Sequence, residues 1–155
     1  MANRYGVTGA MTAVTSALKT MLDLVGATTT RPEIDYFTAS AGGGTLADQS
    51  VTVVVQRHTT VNTGSAVVPT ALDPSAPAVV ATALEQCTAE GTYTAATEMY
   101  EQSIHLRSQA YWWASSEQAR IVVPATASNG VGIRVIQGSG AYAGIYNGTI
   151  HFVGP

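Results

Sequence analysis

Charged side chains are scarce in this chain of 155 residues. Asp, Glu, Lys and Arg make up 11% of the sequence, and Lys19 is the only lysine, whereas about 25% of an ordinary soluble domain is charged. Because surface charge usually keeps a free monomer soluble, this composition favours a chain that places much of its surface against neighbouring subunits. The alternative is a monomer solvated by its Thr, Ser and Gln side chains.

Other absences exclude further classes of protein. The hydrophobic fraction of 46% and the net charge of −3 exclude an intrinsically disordered chain, which would be poor in apolar residues and rich in net charge. Seven scattered basic residues form no stripe for a phosphate backbone, so no nucleic-acid partner is expected. No apolar run approaches the roughly 18 residues that span a bilayer, and the first residues lack the apolar core of a signal peptide. We therefore expect synthesis in the cytoplasm and no membrane partner.

No catalytic or metal-binding pattern stands out. The single cysteine, Cys87, cannot form an internal disulfide and is interpreted as a small core residue. His58, His105 and His151 lack the spacing of metal ligands. Glu98 and Glu101 are an acidic pair of the kind common on solvated surfaces. The sequence therefore predicts a protein that is not an enzyme and that uses no cofactor or metal.

The N-terminal segment carries an apolar pattern typical of a helix. Thr8 and Gly26 are suited to cap its two ends, and the spacings of three and four between apolar residues are those of an amphipathic helix. We therefore predict a helix or arm within residues 1–31, which packs on its own domain or docks on a neighbouring subunit. The residues of this stripe are Met11, Val14, Ala17, Leu18, Met21, Leu22 and Val25.

From Pro32 onward the patterns are those of β-strands. The strongest lies at 50–58, where Val51, Val53 and Val55 occupy one face. Seven or eight short strands with frequent turn signals and no alternating helices favour antiparallel sheets over a parallel α/β sheet. The sequence therefore predicts a mainly β domain over residues 32–155, built as an antiparallel β-sandwich or jelly roll.

Consecutive aromatic residues provide the candidate interaction site. On a strand, Trp112 must face opposite to Tyr111 and Trp113, so either Trp112 or the flanking pair leaves the core face. An exposed aromatic residue suits a protein interface or a platform for stacking sugars, unless the domain covers both sides of the strand. The complete set of candidate interface residues is Tyr5, Met11, Leu18, Tyr111, Trp112, Trp113, Tyr142 and Tyr146.

Several segments between residues 50 and 153 resemble a known family. They are similar to small proteins encoded among the structural genes of tailed bacteriophages, whose members carry an Arg-x-Thr-Thr strand end, a Thr-Gly-Thr-Ala turn, a Leu-Asp-Pro loop and a Thr-Ala-Glu-Pro-Thr segment. In the last of these motifs, Gly91 stands where the family has proline. The segments are Gln56–Pro69, Leu72–Ala78, Thr88–Thr94, Val123–Arg134 and Thr149–Phe152.

The resemblance implies a component of the virion and supplies no catalytic residue. The first expectation is a capsid decoration or cement protein, a homo-oligomer that stabilises the head by bridging subunits of the major capsid protein. Tail proteins and head–tail connectors share the same physical requirements of a rigid β-core and few unpaired charges at contacts. A carbohydrate-binding β-sandwich is the alternative that the aromatic residues favour.

Overall fold

A computed structural model describes residues 3–12, 17–43, 48–138, 142 and 144–154. These residues form a mainly β protein whose sheets are antiparallel. In chain order the elements are β1 (Asn3–Thr12), β2 (Lys19–Val25), β3 (Glu33–Gly42), β4 (Ser50–His58), β5 (Thr63–Val67), β6 (Thr70–Ala71), β7 (Thr82–Ala89), β8 (Tyr93–His105), β9 (Gln109–Trp113), a 3₁₀ turn (Glu117–Ala119), β10 (Ile121–Val122), β11 (Gly130–Gln137) and β12 (Ile145–Gly154).

The strands form two sheets of six. Sheet A has the order β10-β3-β12-β1-β6, and β9 also pairs with β3. Sheet B has the order β5-β7-β2-β11-β4-β8. The first and last strands, β1 and β12, pair along their full lengths, from Asn3 opposite Gly154 to Thr12 opposite Ile145. The ends of the described chain therefore lie side by side within sheet A.

Both sheets contribute side chains to one hydrophobic core. In β4 the core residues are Val51, Val53 and Val55, which confirms the alternation predicted for this strand. Sheet A contributes Phe37 and Phe152 to the same cluster. Alternate residues of each strand point away from this core, and those side chains form the outer faces of the two sheets.

The predicted N-terminal helix is wrong for the residues that the structure describes. Met11 lies in β1, whereas Met21, Leu22 and Val25 lie in β2; Val14 falls outside the described residues. From its second residue onward β2 is buried on both faces, because one face packs in the hydrophobic core and the other bonds to polar side chains that cover it. A doubly buried strand is apolar at nearly every position, so it also contains helical spacings.

The predicted division of the chain at residue 31 falls between β2 and β3. Strands from both sides of this point belong to the same sheets. In sheet A, β1 is joined through β12 to β3, and in sheet B, β2 pairs with β7 and β11. Most of the described residues predicted to form an arm, Asn3–Thr12 and Lys19–Val25, are therefore strands of these two sheets.

Candidate functional site

Three aromatic rings lie next to one another on the outer face of sheet A. Tyr36 of β3 is opposite Trp113 of β9 on one side and opposite His151 of β12 on the other. The ring centroids of Tyr36 and Trp113 are 6.4 Å apart in an edge-on arrangement, and those of Tyr36 and His151 are 5.1 Å apart. We call Trp113, Tyr36 and His151 the aromatic row. Strand register alone creates it, because the three residues are distant in sequence.

The aromatic row borders two adjoining grooves. The first, of about 320 Å³, is lined by the row and by Arg4. The second, of about 400 Å³, shares His151 with the first and extends past Thr8 and Thr149 to Val68 and Leu72. Together they cross sheet A from β9 at one edge to β6 at the other. The outer face is therefore a continuous shallow surface rather than an enclosed pocket.

The polar atoms of the aromatic row have no hydrogen-bonding partner among the described residues. The Tyr36 hydroxyl, the Trp113 indole nitrogen and the His151 ring nitrogens form no hydrogen bond with any other residue that the structure describes. Their donors and acceptors are therefore available to an external partner.

An ion pair neutralises the charge beside the row. The Arg4 guanidinium donates from Nε to Asp35 Oδ2 at 3.0 Å, and its terminal nitrogen contacts the same oxygen. Asp35 reaches Arg4 because the register shifts between His151 and Phe152, which leaves Asp35 without a partner in β12 as the extra residue of a β-bulge. This end of the face therefore presents aromatic surface with little net charge.

Exposed apolar residues are concentrated on this outer face. Among the described residues, seven large hydrophobic side chains are exposed, and five of them line or border the face. Trp113 is 70% exposed and Tyr111 is 65% exposed. The five are Tyr111 and Trp113 on β9, Val68 and Leu72 flanking β6, and Ile145 on β12. Three of them, Trp113, Val68 and Leu72, line the two adjoining grooves, and apolar side chains concentrated on one face are typical of an interaction site.

The structure resolves the alternation predicted for β9. Trp112 faces the interior, where its ring stacks on Phe37 at a centroid distance of 5.7 Å, and Tyr111 and Trp113 point outward. Of the remaining candidates, Leu18 is half-buried. Four others lie in the hydrophobic core and contribute nothing to the exposed surface, contrary to their assignment as interface residues. They are Tyr5, Met11, Tyr142 and Tyr146.

The buried tyrosines have structural partners instead of exposed faces. The Tyr5 hydroxyl donates to the carbonyl of Pro77 at 2.9 Å. The Tyr142 hydroxyl lies 2.6 Å from the carbonyl of Gly43, and its ring packs edge-on against Tyr146 at 5.4 Å. Burial raises the pKa of Tyr146 to about 12, so the hydroxyl remains protonated at neutral pH. These residues hold the strands and loops of sheet A in place.

A buried polar cluster occupies the outer face of sheet B. Asp23 of β2 contacts His58 Nε2 at 2.7 Å through one carboxylate oxygen and accepts from Asn62 Nδ2 at 2.7 Å through the other. Asn62 Nδ2 also lies 3.0 Å from the Tyr93 hydroxyl, which is 2.7 Å from Thr20 Oγ1. We call Asp23, His58, Asn62, Tyr93 and Thr20 the polar cluster. It links β2, β4 and β8 with the loop after β4.

Arg134, Glu90 and Gly132 lie against the polar cluster. The Arg134 guanidinium lies 3.8 Å from the centre of the Tyr93 ring, and Glu90 accepts from Thr20 Oγ1 at 2.6 Å. Gly132 is required beneath Tyr93, because a Cβ there would lie 2.2 Å from the tyrosine oxygen. Burial and the charge of Asp23 raise the pKa of Tyr93.

The polar cluster is placed for structure rather than for chemistry. The side chains of His58 and Asp23 have no exposed surface, so a substrate cannot reach this imidazole and carboxylate. Burial raises the pKa of the Cys87 thiol to about 12, which leaves little of the reactive thiolate at neutral pH. Nucleophilic catalysis needs an accessible nucleophile, whereas Cys87 is buried.

The sequence pointed to one part of the site and missed another. Strand alternation narrowed the outward residues of β9 to either Trp112 or the pair Tyr111 and Trp113. Tyr36 was not singled out, because only its pairing with β9 and β12 brings it beside Trp113 and His151. The polar cluster was missed for the same reason, since Asp23 and His58 lie in different strands.

Within the described ranges, no group of three or more His, Cys, Asp or Glu side chains is placed to hold a metal ion. The same part of the chain contains no helix with the length and hydrophobicity to cross a membrane. Comparisons of the chain with protein-family models, curated proteins and solved structures return no match.

Proposed function

We propose that this chain is a non-catalytic structural protein of a tailed-phage virion, made in the host cytoplasm, that decorates or cements the capsid. In this proposal it binds the major capsid protein and further copies of itself through the outer face of sheet A. The observation that carries the proposal is the concentration of exposed apolar side chains on that face, in a chain with very few charges. The resemblance of residues 50–153 to phage structural proteins supplies the biological setting.

A rigid body suits this role. We take the two sheets that share one hydrophobic core to form an antiparallel β-sandwich of the kind expected from the sequence, in which two sheets pack face to face. In such a body the positions of Tyr111 and Trp113 are fixed by their strand, so little side-chain and loop ordering opposes binding.

The exposed aromatic pair can supply a substantial part of the binding energy. A buried aromatic side chain covers about 150–250 Å². Tyr111 and Trp113 are 65% and 70% exposed, so covering either one contributes roughly 2–4 kcal/mol at about 25 cal/mol per Å². Large aromatic anchors of this kind typically dominate protein interfaces.

Co-sedimentation with capsids that lack this protein tests the proposal. We expect the wild-type chain to sediment with the capsids and the double variant Tyr111→Ser, Trp113→Ser to lose at least tenfold in affinity. Val61→Ser is the matched control, because Val61 is an exposed hydrophobic residue between strands of sheet B. A wild-type chain that ignores capsids would exclude the decoration role, and sedimentation with tails would support the tail or connector alternative.

Carbohydrate binding is the second candidate, and the groove at the aromatic row favours it. The groove combines exposed Trp113 with uncommitted polar atoms on Tyr36 and His151, and a sugar ring needs both an apolar platform and hydrogen-bonding partners. Because Asp35 neutralises Arg4, we expect a neutral glycan rather than an acidic one.

Calorimetric titration with neutral oligosaccharides separates the two candidates. If the groove binds glycans, Trp113→Ala abolishes binding, and Tyr36→Phe weakens it several-fold by removing one hydroxyl. Heat of binding for the wild type without capsid association would favour the glycan role. Capsid association without any heat from the oligosaccharides would exclude the glycan role.

A further inference from the structure

Strand β9 leaves one edge of sheet A unpaired. All five of its residues pair with β3 without a shift of register, from Trp113 opposite Tyr36 to Gln109 opposite Ser40. No strand among the described residues pairs with its other edge. The side chains of β9 include no charged residue and no proline. An unpaired strand edge is a template for another strand, and proteins usually protect such edges with charges, prolines or bulges.

The other sheet edges are protected in ways that β9 is not. Strand β8 carries Glu98 and Glu101, its register against β4 shifts twice, and Ala96 has a φ of 56°. Strand β5 has a register shift after Thr63. Beyond the two residues that pair with β6, β1 is also an edge, and there the Ala10 amide donates to a side chain, Glu85 Oε2, at 2.7 Å. Strand β9 therefore stands out as a regular and uncharged edge.

We propose that β9 pairs antiparallel with β9 of a second copy of this chain, about a two-fold axis that passes beside Tyr111. This register pairs all five residues of both strands and keeps outward residues opposite outward residues. A shift by one residue would place outward side chains opposite inward ones. The inference rests on the proposed function in one respect, since an assembled homo-oligomer gives the pairing its role.

The side chains of β9 fit a copy of themselves. On the outer face, Tyr111 would lie opposite Tyr111 of the second copy, and Trp113 opposite Gln109. On the inner face, the small Ala110 would lie opposite the large Trp112. Like charges opposite each other oppose strand pairing, and β9 carries none. The pairing would join two copies of sheet A into one sheet and double the apolar face.

Disulfide trapping tests the register. Directly opposite Cα atoms in an antiparallel pair are about 4.5–5.5 Å apart, within the usual range for a disulfide. Tyr111→Cys should therefore form a covalent dimer under mild oxidation. In Trp113→Cys the two cysteines would lie about 13 Å apart along the strands, which is too far for a disulfide. The wild type is the control for Cys87, which is buried.

Sedimentation equilibrium of the full chain tests the interface itself. We expect a reversible wild-type dimer whose dissociation constant rises at least tenfold in Tyr111→Lys, because two ammonium groups then face each other. Ser65→Lys adds the same charge to an exposed position on β5 and should dimerise like the wild type. A wild type that stays monomeric would overturn the pairing. So would a covalent dimer that forms in Trp113→Cys but not in Tyr111→Cys, or a dimer that dissociates in Ser65→Lys but not in Tyr111→Lys. Capsid co-sedimentation of the wild type is measured separately, so a wild type that stays monomeric but still sediments with capsids would overturn the pairing and leave the proposed function intact.

Discussion

The outer faces of the two sheets differ in how they use polar groups. On sheet B, the Asp23 carboxylate bonds to both His58 and Asn62, and the Tyr93 ring packs edge-on against His58. On sheet A the polar atoms of the aromatic row remain without partners in the described chain. The polar groups on the outer face of sheet B are thus bonded within the chain, whereas those of the aromatic row on sheet A can bond to a partner. We infer that sheet B stabilises the fold and that sheet A is available for recognition.

The space around glycines also differs between the outer faces of the two sheets. A Cβ on Gly130 would lie 2.4 Å from His58 Nε2, and one on Gly132 would lie 2.2 Å from the Tyr93 oxygen. Side chains therefore lie directly against the backbone of β11. On sheet A, a Cβ on Gly6 would meet His151 at the milder distance of 3.2 Å. The following predictions test this contrast, beginning with the largest effect.

Replacing Asp23 should cause the largest loss of stability. Asp23→Ala leaves buried His58 and Asn62 without their shared acceptor, and removing one member of a buried polar pair costs about 3–5 kcal/mol. Urea denaturation measures the free energy of unfolding. Asp48→Ala, which removes an exposed carboxylate paired with Arg107, should cost about 1 kcal/mol or less. Equal losses in the two variants would contradict a stabilising polar cluster.

Adding one methyl group to each face should give unequal results. Gly132→Ala forces the Tyr93 ring to move and should lower the free energy of unfolding by about 1–3 kcal/mol. Gly6→Ala should stay within about 0.5 kcal/mol of the wild type, as is usual for surface positions. Thermal and urea denaturation of both variants provide the comparison. If Gly6→Ala were the less stable of the two variants, the assignment of sheet B as the more tightly packed outer face would be wrong.

Alkaline pH should lower the free energy of unfolding through groups buried near the polar cluster of sheet B. Burial raises the pKa of Cys87 from 9.0 to about 12 and also raises that of Tyr93 above 10.0. Between the unfolded and folded pKa values the folded state binds more protons, so stability falls as pH rises. We expect the free energy of unfolding to begin to decline near pH 9 and to fall further at higher pH.

Two variants identify the groups responsible for that decline. Cys87→Ala should remove the part that begins near pH 9, and Tyr93→Phe the part that begins near pH 10. Tyr146, whose pKa is raised to about 12, leaves a residual slope in both variants. The measurement is urea denaturation at closely spaced pH values. Unchanged slopes in both variants would show that other groups control the alkaline transition.

Removing the most exposed aromatic side chain should have the smallest effect on folding. Trp113→Ala loses an edge contact with Tyr36 and little buried area, so the free energy of unfolding should change by about 1 kcal/mol or less. The same variant should lose capsid or glycan binding, depending on which role holds. A loss of stability comparable with that of Asp23→Ala would make Trp113 part of the fold rather than part of a docking face.

Local patterns predicted the fold where one face of a strand is buried and the other is not. The alternation of Val51, Val53 and Val55 identified β4. The sequence pattern did not identify β2 as a strand, because a strand covered on both faces shows no alternation of apolar and polar residues. There Met21 and Leu22 fitted a helical spacing equally well.

The candidate site was predictable only as far as local geometry reaches. Alternation along β9 restricted the choice to Trp112 or its two neighbours. Only the contact between Trp112 and Phe37 decides which of them points outward. The aromatic row and the polar cluster depend on register between strands that are distant in sequence, and a single sequence contains no local signal of that register.

The position of β12 has a consequence for the timing of folding. This strand is the most C-terminal one that the structure describes, yet it lies between β1 and β3 in sheet A. Apart from its two-residue pairing with β6, strand β1 must therefore wait for β12 until nearly the whole described chain has been synthesised, and such non-local pairing is slow to form. A truncated chain would lack His151 and the central support of the recognition face. If the outer face of sheet A binds partners as proposed, incomplete molecules would be unable to do so.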